Sequence, residues 1–296
     1  MEKIIIFTDL DGTLLDAQNY SYTAAREAIN ILINRKIPII PCTSKTHLEV
    51  VQVQKKMGIS DPFIVENGSA IFFYQGYFSN NQPKLTNMNG YKVLVLGSEY
   101  SDVLNFFNIW RSHHKLSITG FHEMPVEKVM ELTDLSYDEA ELAKKRFFSE
   151  PFIVNNDKTL PQTSIEDIFK NGFRLLHGNR FYHLLGNSDK GTAVKKISEM
   201  FKQKWNVDTL ISIGIGDSMN DLEMLKSVDK PVLVKKPAGY HQTGIEIDNL
   251  LCTNGIGPAG WQEAVLQFLE IYDIYYLSGE NINVRFFSKW RNFNPT

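Results

Sequence analysis

What most constrains this chain is its rhythm: short unbroken apolar runs alternate with stretches whose apolar residues recur at helical spacing. Ile4–Phe7, Ile37–Cys42 and Phe63–Val65 are runs of the first kind, expected of strands buried on both faces. Between the first two, Ala25, Ala28, Ile29 and Leu32 fall at helical spacing, with Ser21 and Thr23 as candidate caps. A second helix is predicted from about Thr46 to Met57, with Val50, Val53 and Met57 on one face and Gly58 ending it. Pro41 places the second strand at a sheet edge or marks that strand's end. A βαβαβ opening predicts a parallel sheet with right-handed crossovers.

From about residue 84 the rhythm changes. Val93–Leu96 and Phe173–Leu176 read as strands, separated by helical stretches near Tyr100–His113, Pro125–Leu132 and Tyr137–Phe147. The alternation then resumes, with a helix at about Thr192–Lys204, a strand at Leu210–Ile213, a short helix at Asp221–Lys226 and a strand at Val232–Val234. The expectation is an α/β protein with a doubly wound parallel sheet from residues 1–83 and 187–270. Residues 84–186 form an inserted α/β domain, and 271–296 an aromatic C-terminal extension. A length of 296 residues agrees with about two domains.

The extension carries Tyr272, Tyr275, Tyr276, Phe286, Phe287, Trp290 and Phe293, with Arg285, Lys289 and Arg291 among them. Such aromatics are expected to pack over the core or a neighbouring copy, making this segment the candidate oligomer contact. A membrane-surface or RNA contact is the alternative.

Composition narrows the class. With 31 basic and 34 acidic residues the net charge is −3, which argues against nucleic acid as a partner. Two cysteines, Cys42 and Cys252, make neither a disulfide framework nor, alone, a zinc site, so a cytoplasmic location is expected. Ile4–Phe7 is too short for a signal-peptide core and is followed at once by Asp9 and Asp11. No stretch approaches the ~18 apolar residues of a membrane span.

The chemistry concentrates where strands end. Asp9-Leu10-Asp11-Gly12-Thr13-Leu14 follows the first strand, and carboxylates at i and i+2 leave a strand on the same side. An Asp-rich turn would give the same composition. Gly216-Asp217-Ser218-Met219-Asn220-Asp221 follows the strand at 210–213, again at the carboxyl edge where open parallel sheets bind ligands. A helix N-cap explains one of those Asp residues but not two Asp and an Asn together. Thr43 and Ser44 precede a helix and could hold an anion or simply cap it. Lys190, in Asn187-Ser188-Asp189-Lys190-Gly191-Thr192, also precedes a helix; taken singly, it reads as a solvated charge.

In this order and spacing, Asp9-x-Asp11-Gly12-Thr13, Thr43, Lys190 and Gly216-Asp217-x-x-Asn220-Asp221 resemble the four motifs of the haloacid dehalogenase-like phosphatases. The resemblance implies a Rossmann-like core with the insertion as a cap of the C2 type. It further implies Mg²⁺ as cofactor. By it, Asp9 is the nucleophile and a metal ligand, and Asp11 is the general acid and base and a ligand through its carbonyl. Asp217 is the third ligand, and Asp221 fixes metal-bound water. Thr43, Ser44, Lys190 and Asn220 hold phosphate. An oxygen-preferring ion also suits a carboxylate pocket without clustered His or Cys. Two like charges at 4 Å repel by about 4 kcal/mol at an effective dielectric near 20, so a carboxylate attacking a phosphate dianion needs cations.

A closer resemblance lies in Thr43-Ser44-Lys45-Thr46, Pro62–Gly68, Ser149-Glu150-Pro151-Phe152 and Arg180–Leu184, which look like mannosyl-3-phosphoglycerate phosphatases. It implies a small phosphorylated sugar or glycosyl-phosphoglycerate substrate. Glu66, Asn67, Arg180 and His183 are then the candidate substrate contacts; a surface arginine and a structural histidine are the plainer readings of the last two. Other readings of the chain are a sucrose-phosphate-phosphatase-like enzyme, a phosphohexomutase, and a non-catalytic sugar-phosphate sensor. The presence of Asp9, Asp11, Lys190 and Asp217 together speaks against the sensor.

Overall fold

The computed structural model describes residues 3–78, 85–155, 159–178 and 180–278, apart from the side chains of 274–278. The chain forms two compact units, residues 1–40 with 208–296, and residues 41–207. Among the described residues, no helix is long and apolar enough to cross a membrane.

The first unit opens with β1 (Ile4–Thr8), α1 (Arg26–Asn34) and β2 (Ile39–Pro41). The second unit runs from α2 (His47–Met57) through β3 (Phe63–Val65), β4 (Ala70–Tyr74), β5 (Leu85–Met88), β6 (Tyr91–Val95) and α3 (Tyr100–His113). It continues with β7 (Ile118–Gly120), α4 (Val126–Thr133), α5 (Tyr137–Lys144), β8 (Ser149–Val154), α6 (Gln162–Lys170), β9 (Phe173–His177), β10 (Tyr182–Gly186) and α7 (Lys190–Trp205). The chain then returns to the first unit with β11 (Ile211–Gly216), α8 (Leu222–Leu225), β12 (Lys230–Lys235), β13 (Leu251–Ile256) and α9 (Pro258–Ser278).

The first unit is built on the sheet β13-β12-β11-β1-β2, in which β11 pairs in parallel with both β1 and β12 and β12 with β13. Every residue of β1 and β11 is buried, as the unbroken apolar run Ile4–Phe7 predicts for β1. The register Thr8↔Ile215 brings the ends of these two central strands to one edge. Helix α9 packs on α1, β12 and β13. Its Trp261 is fully buried and donates from Nε1 to Thr8 Oγ1 at 3.0 Å, fixing the last residue of β1. Of the aromatic extension, Ile271 and Tyr272 are buried parts of α9. Residues 279–296 and the side chains of Tyr275 and Tyr276 lie outside the described residues.

The second unit holds two antiparallel sheets, β3-β4-β6-β5 and β7-β8-β10-β9. Val103, Phe107 and Trp110 form the stripe by which α3 covers the second of these, against Phe152 and Leu184, with Ile168 of α6 alongside. Trp110 Nε1 reaches Ser164 O at 2.8 Å, so its one polar atom is satisfied inside the core. Capping boxes at Thr46/Glu49 and Ser136/Glu139 start α2 and α5.

One expectation needs correction. The third predicted strand exists at Phe63–Val65, but it does not extend a parallel sheet. Its ladder is antiparallel to β4, and its parallel neighbour is a single bridge, Cys42↔Ile64. The reason is the tight turn at Glu66–Gly68, all three with positive φ, which folds β4 straight back on β3.

Candidate active site

Asp9 stands directly after β1, its N–H donating to Ile215 O at 2.9 Å, and is 5% exposed. Asp217 stands directly after β11, equally buried. Carboxylate oxygens of Asp9, Asp217 and Asp221 lie within 4.8 Å of one another. Charges that close repel by about 3.5 kcal/mol per pair at an effective dielectric near 20, so such a cluster needs positive charge to persist ionised.

Asp221 shapes the turn that carries Asp217. Its Oδ2 accepts the N–H groups of Asp217 and Ser218, both at 3.1 Å, and the Ser218 hydroxyl at 3.2 Å. Asn220 takes part through its Oδ1, which the Ser218 hydroxyl also approaches. A Cβ on Gly216 would sit 2.6 Å from Asp221 Cβ, so the turn closes this tightly only over glycine. On the facing loop Gly12 has φ +79°, and Thr13 Oγ1 reaches Asp217 Oδ1 at 3.5 Å. Asp11, half-buried, lies in the turn closed by Gly12 N to Leu15 O and Leu15 N to Leu10 O, both 2.8 Å.

The donor set is all oxygen, with no imidazole or thiolate in the group. That is the ligand chemistry of a hard divalent cation, so these residues fit the magnesium ion the sequence motifs imply.

Other expected residues lie in the second unit. Thr43 is buried, and its Oγ1 accepts Lys45 N at 3.2 Å, while Ser44 is half-buried. Lys190 is the first residue of α7 and is 1% exposed, contrary to the solvated reading it would receive alone. Asp189 caps that helix, accepting Thr192 N at 2.7 Å and pairing with Arg174. The turn at Glu66–Gly68 packs on this cap so closely that a Cβ on Gly68 would come 2.1 Å from Asp189 O.

Glu66 is fully buried, and its carboxylate is taken up by protein donors. Phe147 N donates to Oε1 at 2.9 Å; Phe148 N and the Ser149 hydroxyl donate to Oε2 at 3.1 and 2.8 Å; and Arg146 Nε lies 3.4 Å away. Arg146 further donates to Ser44 O at 2.8 Å, so one ion pair ties the segments at 44, 66 and 146–149 together. Sequence reasoning missed Arg146, because it lies in a run of three basic residues that reads as a solvated helix end.

Asn67 and His183 differ from Glu66. Both are buried, and the two side-chain atoms of Asn67 and Nδ1 of His183 have no hydrogen-bond partner within the protein. Burial, with Arg146, Lys190 and His177 adding to it, pushes the His183 imidazole down to about 3, so it is neutral. Arg180 is exposed and engaged elsewhere: it donates to Thr133 O at 2.7 Å at the end of α4 and pairs with Asp134.

A family model for haloacid dehalogenase-like hydrolases matches residues 6–237. A glucosyl-3-phosphoglycerate/mannosyl-3-phosphoglycerate phosphatase of Persephonella marina is 39% identical over 268 residues, covering 90% of this chain and 97% of the relative. A protein of the same name from Methanococcoides burtonii is also 39% identical, with the same coverage. The solved structure of protein 0175 of Thermoplasma acidophilum superposes with a TM-score of 0.65 at 16% identity, covering 91% of this chain and 99% of that one, a likeness of fold. The family model over residues 6–237 and the relatives that match nine-tenths of the chain place it in the haloacid dehalogenase-like hydrolase family, as a phosphatase.

Proposed function

We propose that the chain hydrolyses a glycosyl-3-phosphoglycerate, mannosyl-3-phosphoglycerate foremost, to the glycosylglycerate and inorganic phosphate through a phosphorylated Asp9. The observation that carries the chemistry is the convergence of Asp9, Asp217 and Asp221 at the ends of two adjacent parallel strands. The names of the 39%-identical relatives support the substrate.

An Asp9 carboxylate oxygen attacks phosphorus and the bond to the glyceryl oxygen breaks. Asp11 gives its proton to the departing alkoxide, then takes one from the water that attacks the aspartyl phosphate, releasing phosphate and restoring Asp9. Asp9, Asp217 and the Asp11 carbonyl would hold Mg²⁺, which would offset the negative charge of the phosphate. Asp221 keeps Asp217 in place by holding the turn at 217–218. Thr43, Ser44, Lys190 and Asn220 are assigned to phosphate by the motifs they match. Asn67 and His183, buried with polar atoms left over, are assigned to substrate hydroxyls and carboxylate. Glu66 and Arg180, whose charges are taken up by protein groups, act by holding their neighbours. Residues 1–83 and 187–270 serve as the catalytic core and 84–186 as the C2-type cap. With only two cysteines in the sequence, a cytoplasmic location goes with this reading.

The test is a panel of phosphorylated sugars and glycosyl-phosphoglycerates ranked by kcat/KM. Mannosyl-3-phosphoglycerate, or its glucosyl counterpart, is expected to lead other sugar phosphates by at least ~10-fold, the scale of one good pocket contact. A flat ranking overturns the substrate and leaves the phosphatase.

A further inference from the structure

Away from the carboxylate cluster, the second unit brings two imidazoles and a carboxylate together where α3 ends beside α6. His114 Nε2 is 3.0 Å from Asp167 Oδ2, and His113 Nδ1 is 4.0 Å from the same oxygen. All three donor atoms lie within 4.8 Å of one another. Adjacent residues inside a helix point about 100° apart and do not share a ligand. These two converge because α3 stops at His113, His114 is its C-cap, and the chain turns at Lys115 with φ +51°.

We propose that His113, His114 and Asp167 form a binding site for a divalent transition ion of the zinc class, separate from the magnesium centre. Donor atoms around a tetrahedral ion with bonds of about 2.0–2.1 Å stand roughly 3.3 Å apart, and the two separations here bracket that value. Two imidazole nitrogens with one carboxylate oxygen prefer Zn²⁺, Co²⁺ or Ni²⁺ over Mg²⁺, and three protein donors leave a fourth position for water. The carboxylate is also oriented from behind: Asn171 Nδ2 donates to Asp167 Oδ1 at 3.1 Å, leaving Oδ2 toward the imidazoles. An ion held here ties the end of α3 to α6. His113 is 72% exposed at its side chain, so the site is open to ions from solvent.

Calorimetric titration of the full-length protein with Zn²⁺, with Mg²⁺ in large excess to fill the carboxylate cluster, reads the site directly. One Zn²⁺ per chain is expected, together with a rise in Tm that the ion brings by binding only the folded state. His113→Ala keeps the His114–Asp167 contact and so the fold, and should weaken binding at least ~10-fold. Asn171→Ala should weaken it by about 10-fold through loss of orientation. Asp217→Asn should leave this binding unchanged, which separates it from the catalytic centre. Unaltered Zn²⁺ binding in His113→Ala, or loss of the site in Asp217→Asn, overturns the proposal. So does wild-type protein that takes up no Zn²⁺; the cluster is then only a helix-end ion pair.

Discussion

Asp9, Asp217 and Asp221 converge in the structure as the family motifs imply, and part of this was legible in the sequence because a carboxylate following a buried run leaves at the strand's carboxyl edge. The pairing of Glu66 with Arg146 was not legible, since 80 residues of chain separate the two and no local pattern connects them. His183 lay between these cases, its type visible and its burial not. Its burial has a measurable consequence. The unfolded imidazole takes a proton below about 6.5, whereas in the fold it does so only near 3, so protons bind the unfolded chain preferentially between those values. The stability contributed by neutral His183 is therefore complete above about 6.5 and is lost as pH falls toward 3. Urea unfolding followed from pH ~6 to ~4 should show a slope smaller by about one proton in His183→Gln than in wild type. Equal slopes would mean the imidazole is protonated in the fold.

At the scale of elements, strands were read closely where they are continuous apolar runs, and missed where polar residues or proline interrupt them. β8 carries Glu150 and Pro151 in its interior, which break any apolar run; Glu150, fully buried, accepts the Tyr100 hydroxyl at 2.6 Å and His122 Nδ1 at 2.7 Å. β13, Leu-Cys-Thr-Asn-Gly-Ile, has loop composition and is a strand only by pairing with β12 and packing under α9. The turn after β3 was equally hidden, because three successive positive φ values are set by what packs on them. The Glu66–Arg146 pair holds that turn to the start of β8. Glu66→Gln puts an amide N–H₂ against donors and leaves the buried Arg146 charge unmatched, so it should cost about 3 kcal/mol in urea unfolding. A loss under about 0.5 kcal/mol would show that the carboxylate does not bear on the fold.

For the whole molecule, the alternation of strand and helix gave the α/β class, and the phosphatase chemistry came from the family whose motifs the acidic loops resemble. The two antiparallel sheets of the second unit had to be seen. The account as a whole rests on Asp9 becoming phosphorylated, and this can be measured in Asp11→Asn. With p-nitrophenyl phosphate, whose leaving group needs no proton, transfer to Asp9 proceeds while the water step lacks its base. After acid quench and borohydride reduction, peptide mass spectrometry should find homoserine at position 9, with a burst of about one p-nitrophenolate per enzyme molecule. An intact Asp9 with no burst, while phosphate is still released, would contradict the covalent route.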